Sequence, residues 1–247
     1  MGISNEEVFD LSVIIPTFNE ENNASVMLKN LTEKLDEVNL KYEIILVNDG
    51  STDNTFSVLK QLKNSYSNIK IIFYDENKGK GYAVISGVLE SKGKIVMYID
   101  GDLDISPDIL PEYVEQLKYY DIVIGSKRVS NADVKDSISR KILSKAFSII
   151  VKIGMNLNIK DTQVGLKMGD GKQMRRIFKM MSINGFAFDV ELLTIAALLK
   201  LKIKEMPIEL NLTRPFSFIH ASEMFFDTMK IMYNRRIGNI YQKKLSV

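Results

Sequence analysis

Ile95–Asp108 reads IVMYIDGDLDISPD: an apolar run, Ile95–Ile99, then carboxylates at Asp100, Asp102, Asp104 and Asp108. The run is short and rich in β-branched and aromatic residues, as a strand covered on both faces is. Acids spaced two apart at the end of such a strand repel one another, so they either bind a cation or form a solvated acidic loop. Alternate residues of an extended chain point to opposite sides. Asp100 and Asp102 therefore meet one ligand only if the chain turns between them, and Gly101 permits both that turn and a close approach to the backbone. A hard divalent cation such as Mg²⁺ or Mn²⁺ takes oxygen ligands and commonly bridges to phosphate. The bare D-x-D spacing is common by chance; its place after a buried strand is what gives it weight. Asp108, beside Pro107, belongs to the start of the next helix.

The same alternation continues on both sides of this strand. Leu11–Ile15 is an apolar run ended by Pro16, and Glu21–Val38 carries Met27, Leu31, Leu35 and Val38 at helical spacing. Ile44–Val47 precedes Asn48-Asp49-Gly50-Ser51, and Val58, Leu59 and Leu62 mark the next helix. Ile69–Tyr74 is a third strand, Asn77-Lys78-Gly79-Lys80-Gly81 opens a helix bearing Ala83, Val84, Val88 and Leu89, and Asp121–Ile124 is the fifth strand. Strands alternating with helices predict an α/β fold with a mostly parallel, doubly covered sheet, whose ligands bind at the carboxyl ends of the strands. The second half is more helical. Ile138, Ile142, Ala146, Ile149 and Ile153 share one stripe; Gln173–Met181, Val190–Leu199 and Ala221–Arg236 read as helices, and Lys202–Leu210 as a strand. No linker or repeat divides the chain. It reads as one domain, 1–247, with 10–130 as a ligand-binding half and 131–247 as a C-terminal helical elaboration.

Composition narrows the class. The 247 residues are 45% hydrophobic and 26% charged, which suits a packed core. A formal net charge of +2 is too near neutral to argue for nucleic acid. The absence of cysteine removes disulfides and thiolate metal sites. MGISNEEVFD is acidic and lacks the apolar core of a signal peptide, and no window approaches the roughly 18 apolar residues of a membrane span. The expected location is cytoplasmic.

Two further constellations sit at strand ends. Asp49 can accept hydrogen bonds from a base or ribose, while Ser51 or Asp53 can cap the following helix. Gly79 and Gly81 at a helix start, with Lys78 and Lys80, resemble an anion cradle. They lack the spacing of a Walker A loop or a G-x-G-x-x-G fingerprint.

Taken in order, Ser12-Val-Ile-Ile-Pro-Thr-Phe-Asn-Glu20, Val47-Asn-Asp-Gly-Ser-Thr-Asp53, Asn77-Lys-Gly-Lys-Gly81 and Asp100-Gly-Asp102 resemble the family-2 glycosyltransferases of GT-A fold, over roughly Leu11 to Leu210. Gly125-Ser-Lys-Arg128, Ser139-Arg-Lys141, Asp161-Thr-Gln-Val-Gly-Leu-Lys167 and Gly185-Phe-Ala-Phe-Asp-Val-Glu-Leu-Leu193 narrow the resemblance to the synthases that load glucose or mannose onto dolichyl or other polyprenyl phosphates. The resemblance implies that Pro16, Phe18, Glu20, Val47 and Asp49 line the nucleoside pocket, with Lys80 also on the nucleotide sugar. It implies that Asp100, Gly101 and Asp102 meet the diphosphate and an Mg²⁺ or Mn²⁺ ion, and that Asp104 is a third metal ligand where mannose synthases often have glutamine. Lys127, with Arg128 beside it, replaces the usual arginine of Gly-Ser-Arg; Arg140 matches an arginine on the acceptor phosphate. Arg214 and His220 correspond to a late basic pair that closes over the donor, and Gln163 and Asp189 belong to the acceptor side.

The implied reaction is metal-dependent, inverting transfer of a hexose from UDP-glucose or GDP-mannose to a lipid phosphate, giving a β-linked product for glycan assembly. A phosphate monoester has its second pKa near 6 and is mostly dianionic at neutral pH, so it needs no general base. It needs cations that hold it in line, and Arg140, Lys127 and Arg128 suit this. Transfer to a glycan hydroxyl is the alternative, with Asp189 or, behind it, Asp161 as base; Asp161 and Gln163 equally suit a structural turn. A nucleotide-sugar-binding protein without turnover is a third reading. Two stripes bear on the membrane: Ile138–Ile153, and Phe225, Phe226, Met229 and Met232 with Arg235, Arg236, Lys243 and Lys244. Each fits either an interfacial helix or a core-packed one. Attachment to the cytoplasmic face is expected to be peripheral or through a partner, with homo-oligomerisation left open.

Overall fold

The computed structural model describes residues 9–102, 104–127, 147, 150–208, 218–236 and 240–245. In chain order the elements are β1 (Leu11–Thr17), α1 (Ala24–Glu37), β2 (Tyr42–Asp49), α2 (Thr55–Ser65), β3 (Ile69–Tyr74), α3 (Lys80–Leu89) and β4 (Ile95–Ile99). A 3₁₀ turn, Pro107–Ile109, leads into α4 (Leu110–Gln116) and β5 (Ile122–Ser126). Then come β6 (Leu166–Asp170), α5 (Gly171–Met180), α6 (Phe188–Leu198), β7 (Ile203–Pro207), α7 (Phe218–Arg236) and α8 (Ile240–Leu245).

The strands form one seven-stranded sheet in the order β3-β2-β1-β4-β6-β5-β7. All neighbours are parallel except β6, which runs antiparallel to both β4 and β5. The apolar runs of β1, β2 and β4 follow from cover on both faces. On one face Leu11, Val13 and Ile15 pack with Met27, Leu28, Leu31 and Leu35 of α1, Leu59 of α2 and Leu110 of α4. On the other, Ile14, Ile45 and Val47 pack with Ala83, Val84 and Val88 of α3 and with apolar residues of α5 and α6. The expected doubly covered α/β fold is therefore present. The C-terminal elaboration closes the second face, with Ile231 of α7 and Tyr241 of α8 in the same core.

Element limits shift modestly from the pattern-based ranges. The fifth strand extends through Gly125 and Ser126, and the last strand is Ile203–Pro207 rather than the longer Lys202–Leu210. β6, LKMGD, does not read as a strand because it carries a lysine and a glycine where a central strand should be apolar. Lys167 is nonetheless buried there, against Asp189. Asp108 stands where expected: its amide donates to Ser106 Oγ at 3.3 Å, and its carboxylate pairs with Lys34 at 3.0 Å, tying the 3₁₀ turn to α1.

The α7 stripe divides differently from its sequence pattern. Phe225, Phe226, Met229 and Tyr233 are exposed, whereas Met232 packs against Gly154 and Arg235 Nη1 donates to the Gly154 carbonyl at 3.5 Å. Ile153 is exposed, and Arg236 Nη2 donates to its carbonyl at 2.9 Å. The other members of its stripe, Ile138, Ile142, Ala146 and Ile149, lie outside the described residues. Among the described residues no helix is long and apolar enough to cross a membrane.

Candidate active site at the carboxyl ends of the strands

β1, β2, β4 and β5 end on the same side of the sheet. Because β6 runs the other way, its start lies there too, with Ile99 opposite Leu166 and the Asp100 amide donating to the Gly165 carbonyl at 2.9 Å. One antiparallel strand thus brings residues 161–165 beside Asp100, some sixty positions earlier in the chain.

Asp100 is held on two sides. A Cβ on Gly165 would lie 1.8 Å from its Oδ2, so only glycine leaves room for this carboxylate. Lys80, first residue of α3, places Nζ 2.7 Å from Oδ1 and 2.8 Å from Oδ2. Gly101 backs onto β1, where a Cβ would meet the Pro16 carbonyl at 3.1 Å, so its smallness serves contact between strand ends. Asp102 Oδ1 accepts the Asp104 amide at 3.2 Å in a tight turn. Burial first, then the neighbouring carboxylates of Asp100 and Asp104, push Asp102 up to about 6.

These features fit a hard divalent cation: two carboxylates close together at a strand end, Asp100 balanced by a flexible lysine and Asp102 disfavoured in its ionised form by burial and by its neighbours. Asp100 and Asp102 are the residues that would hold it. Among the described residues no three acids converge on one point as a ready-made cage, so Asp104 does not stand with Asp100 and Asp102 as a third ligand here.

The Asn77–Gly81 loop is organised from within. Both Asp49 oxygens are engaged, Oδ1 by the Lys78 amide at 2.9 Å and Oδ2 by the Gly79 amide at 3.0 Å, and the Asp49 carbonyl accepts from Asn77 Nδ2 at 3.0 Å. The start of α3 is closed further by the Asn184 carbonyl, which accepts from the Tyr82 amide at 3.1 Å. A Cβ on Gly79 or Gly81 would strike that carbonyl at 2.8 or 2.7 Å. The anion-cradle reading is corrected accordingly. The glycines let residue 184 dock, and the anion on the loop amides is Asp49 itself.

Of the residues expected at the nucleoside, Phe18 is exposed beyond β1 next to Asn19, which has φ of 56° and donates its amide to Ser51 Oγ at 3.0 Å. Glu20 is buried, with Oε2 accepting from Asn23 Nδ2 at 2.8 Å. Pro16 pairs in register with Val47. The Val47 side chain is fully buried in the core beside Gly87, so it does not line an open pocket.

On the acceptor side, the Lys127 amide donates to Asp161 Oδ2 and the Gln163 amide to Asp161 Oδ1, both at 3.2 Å, while the Asp161 amide donates to Glu205 at 3.0 Å. Asp161 is a structural clasp between the end of β5 and the approach to β6. Gln163 Nε2 is buried with no hydrogen-bond partner among the described residues. Asp189 is also reassigned. It is nearly fully buried at the start of α6 and accepts from the Tyr98 hydroxyl and from Lys167 Nζ. A carboxylate sealed by two donors is not presented to an acceptor. Burial, followed by the Asp189 charge, raises the Tyr98 hydroxyl well above its usual range, so it stays a donor. Arg128, Arg140 and Arg214 lie outside the described residues, as does the His220 side chain.

Gly165, Lys167, Tyr98 and Asn184 were not legible as site-builders. The available signals were a lysine between Leu166 and Met168 and a tyrosine inside a buried strand, since a buried charge and a buried phenol each need a partner.

Residues 12–179 match the family model described as Glycosyl transferase family 2. The chain is 33% identical over 214 residues to a dolichyl-phosphate beta-glucosyltransferase of Trichomonas vaginalis, covering 81% of this chain and 65% of that protein. A protein of the same name from Dictyostelium discoideum is 33% identical over 248 residues, covering 92% and 75%. One from Saccharomyces cerevisiae is 32% identical over 224 residues, covering 82% and 67%. The chain thus spans about two thirds to three quarters of the length of these relatives. Among solved structures, glucosyl-3-phosphoglycerate synthase from Mycobacterium tuberculosis in complex with UDP has a TM-score of 0.69 at 17% identity, covering 92% of this chain and 80% of that one. The same enzyme with Mn²⁺, UDP-glucose and phosphoglyceric acid gives 0.66 at 18% identity, covering 92% and 79%. At that identity the likeness speaks to the GT-A fold. The match over residues 12–179, together with these relatives, means that the chain belongs to glycosyl transferase family 2.

Proposed function

We propose that this protein transfers glucose from UDP-glucose to dolichyl phosphate, with inversion, giving a β-linked lipid-phosphate sugar. The observation that carries the reading is the strand-end pair Asp100 and Asp102, with Lys80 held over Asp100 by the packed start of α3. The names of the relatives support glucose over mannose and a dolichyl phosphate acceptor. Neighbours of the same fold crystallised with Mn²⁺ or Mg²⁺ support a divalent cation.

When bound, that cation neutralises charge on the leaving nucleoside diphosphate. Asp100 and Asp102 hold it. Phe18, Glu20 and the Pro16 strand end flank the nucleoside, and Arg214 and His220 close over the donor. The acceptor is already ionised near neutral pH, so the chain has to orient it and not deprotonate it. Lys127, Arg128 and Arg140 take the phosphate, and Gln163 Nε2, unpartnered among the described residues, offers a neutral donor. A glycan hydroxyl acceptor would need a general base, and both acids considered for it, Asp161 and Asp189, are occupied by other donors. A lipid acceptor sets the work at a membrane surface, on its cytoplasmic side. The exposed Phe225, Phe226, Met229 and Tyr233 of α7, with Lys230 and Arg236 alongside, suit peripheral contact there.

The test is incubation with labelled UDP-glucose or GDP-mannose, Mg²⁺ or Mn²⁺, and dolichyl phosphate. Label in the organic phase from UDP-glucose alone is the expected result. Absence of any organic-soluble product refutes the lipid acceptor, and label from GDP-mannose instead reassigns the sugar.

A further inference from the structure

We infer that Lys80 is a resident counter-ion which a divalent cation must displace from Asp100, and that this displacement couples metal binding to nucleotide binding. The inference rests on the proposed nucleotide-sugar site and adds to it an order of events.

The two partners of this ion pair differ in their freedom. Asp100 cannot retreat towards β6, because Gly165 lies against its carboxylate and its amide is tied to the Gly165 carbonyl. Lys80 is anchored at its backbone, between glycines that admit the Asn184 carbonyl, but its ammonium sits at the end of a flexible four-carbon stem. Nζ spans both Asp100 oxygens at 2.7 and 2.8 Å, and both side chains are only 21% exposed. A lysine ammonium is cationic at neutral pH, and this one is held against the Asp100 carboxylate. Lys167 pairs with Asp189, so among the described residues Lys80 is the counter-charge on Asp100.

A metal ion on Asp100 would sit within a few ångströms of this ammonium, and two cations at that range in a half-buried site repel strongly. Without nucleotide the ammonium has nowhere better to go, so metal alone binds poorly. A diphosphate supplies a second anion for Lys80 to turn towards, which frees Asp100. Coupling of this kind is reciprocal: nucleotide strengthens metal binding by the factor by which metal strengthens nucleotide binding.

The measurement is Mn²⁺ binding by electron paramagnetic resonance to wild type, Lys80→Met and Lys80→Arg, each with and without UDP, with thermal melts to confirm folding. Wild type and Lys80→Arg are expected to bind Mn²⁺ weakly alone and about tenfold or more tightly with UDP. Lys80→Met is expected to bind Mn²⁺ alone about tenfold more tightly than wild type and to lose most of the UDP effect. Equal Mn²⁺ affinity of folded Lys80→Met and wild type overturns the inference, as does an unchanged UDP effect. Absence of glucose transfer to dolichyl phosphate with the expected Mn²⁺ pattern intact refutes the substrate reading alone.

Discussion

Gly165→Ala probes the site through one methyl group. The new carbon would lie 1.8 Å from Asp100 Oδ2, 2.0 Å from its Cγ and 2.4 Å from Oδ1, where ordinary contact begins near 3.4 Å. The carboxylate must therefore withdraw by about 1.6 Å, taking it off the Lys80 ammonium or swinging that side chain with it. The strands cannot part to relieve this, since the Asp100 amide and the Gly165 carbonyl are joined at 2.9 Å. Overpacking of this sort costs about 1–3 kcal/mol, a fall in Tm of roughly 2–12 °C for a chain of this size. The effect on turnover is larger. A displacement of about 1 Å at a reacting group costs on the order of 100-fold, so kcat/KM for transfer from UDP-glucose should fall by about that factor in a protein still folded at the assay temperature. Gly154→Ala is the control. Its methyl would meet Met232 Sδ at 2.7 Å, the pliable end of a side chain that is not part of the site, and activity should be kept. Near-wild-type transfer by Gly165→Ala would refute the assignment of Asp100 as a fixed ligand.

Three further outcomes follow from other parts of the molecule. Lys167→Met strands Asp189 without its counter-charge in the core and should cost about 3–5 kcal/mol, read as a drop in Tm; a variant as stable as wild type would show that Asp189 is not held as an ion pair. Burial lifts the Asp53 carboxyl, but the Thr55 hydroxyl and the amides of Thr55 and Glu21 outweigh it and leave it below its ordinary value. Its contribution is then present above the unfolded value near 3.9 and is lost as pH falls through the lower folded value. Asp53→Asn should flatten the acid limb of the Tm–pH curve, and an unaltered limb counts against that role. Replacing Phe226 and Tyr233 by serine should weaken sedimentation with anionic vesicles by about tenfold or more, as each ring brings roughly 1.5–3 kcal/mol of apolar transfer; unchanged vesicle binding would remove α7 from the membrane contact.

Most of the sheet was legible because cover on both faces demands continuous apolar runs, and Leu11–Ile15, Ile44–Val47 and Ile95–Ile99 have no other economical reading. The end of each run marked the expected binding edge, and the structure brings Asp100 and Asp102 together at the end of β4. β6 escaped because its second residue is a lysine whose cost is met by Asp189, twenty-two positions away, and no local pattern carries that information. Asp189 looked available for the same reason: a carboxylate in sequence does not disclose its donors, and only the fold closes Tyr98 and Lys167 around it.

The glycines of the Asn77–Gly81 loop make the same point in reverse. Spacing suggested a ligand cradle, whereas the fold uses that space for the Asn184 carbonyl and the loop amides for Asp49. By itself the sequence determined the fold class and set the acid pair of Asp100-Gly101-Asp102 at a strand end, since these depend on local periodicity and residue type. Tertiary structure decided which charges are free to act. It set Lys80 on Asp100 by bringing the start of α3 to the end of β4, and it set Lys167 on Asp189 and glycine 165 against Asp100 because the sheet brings β6 back, antiparallel, beside β4.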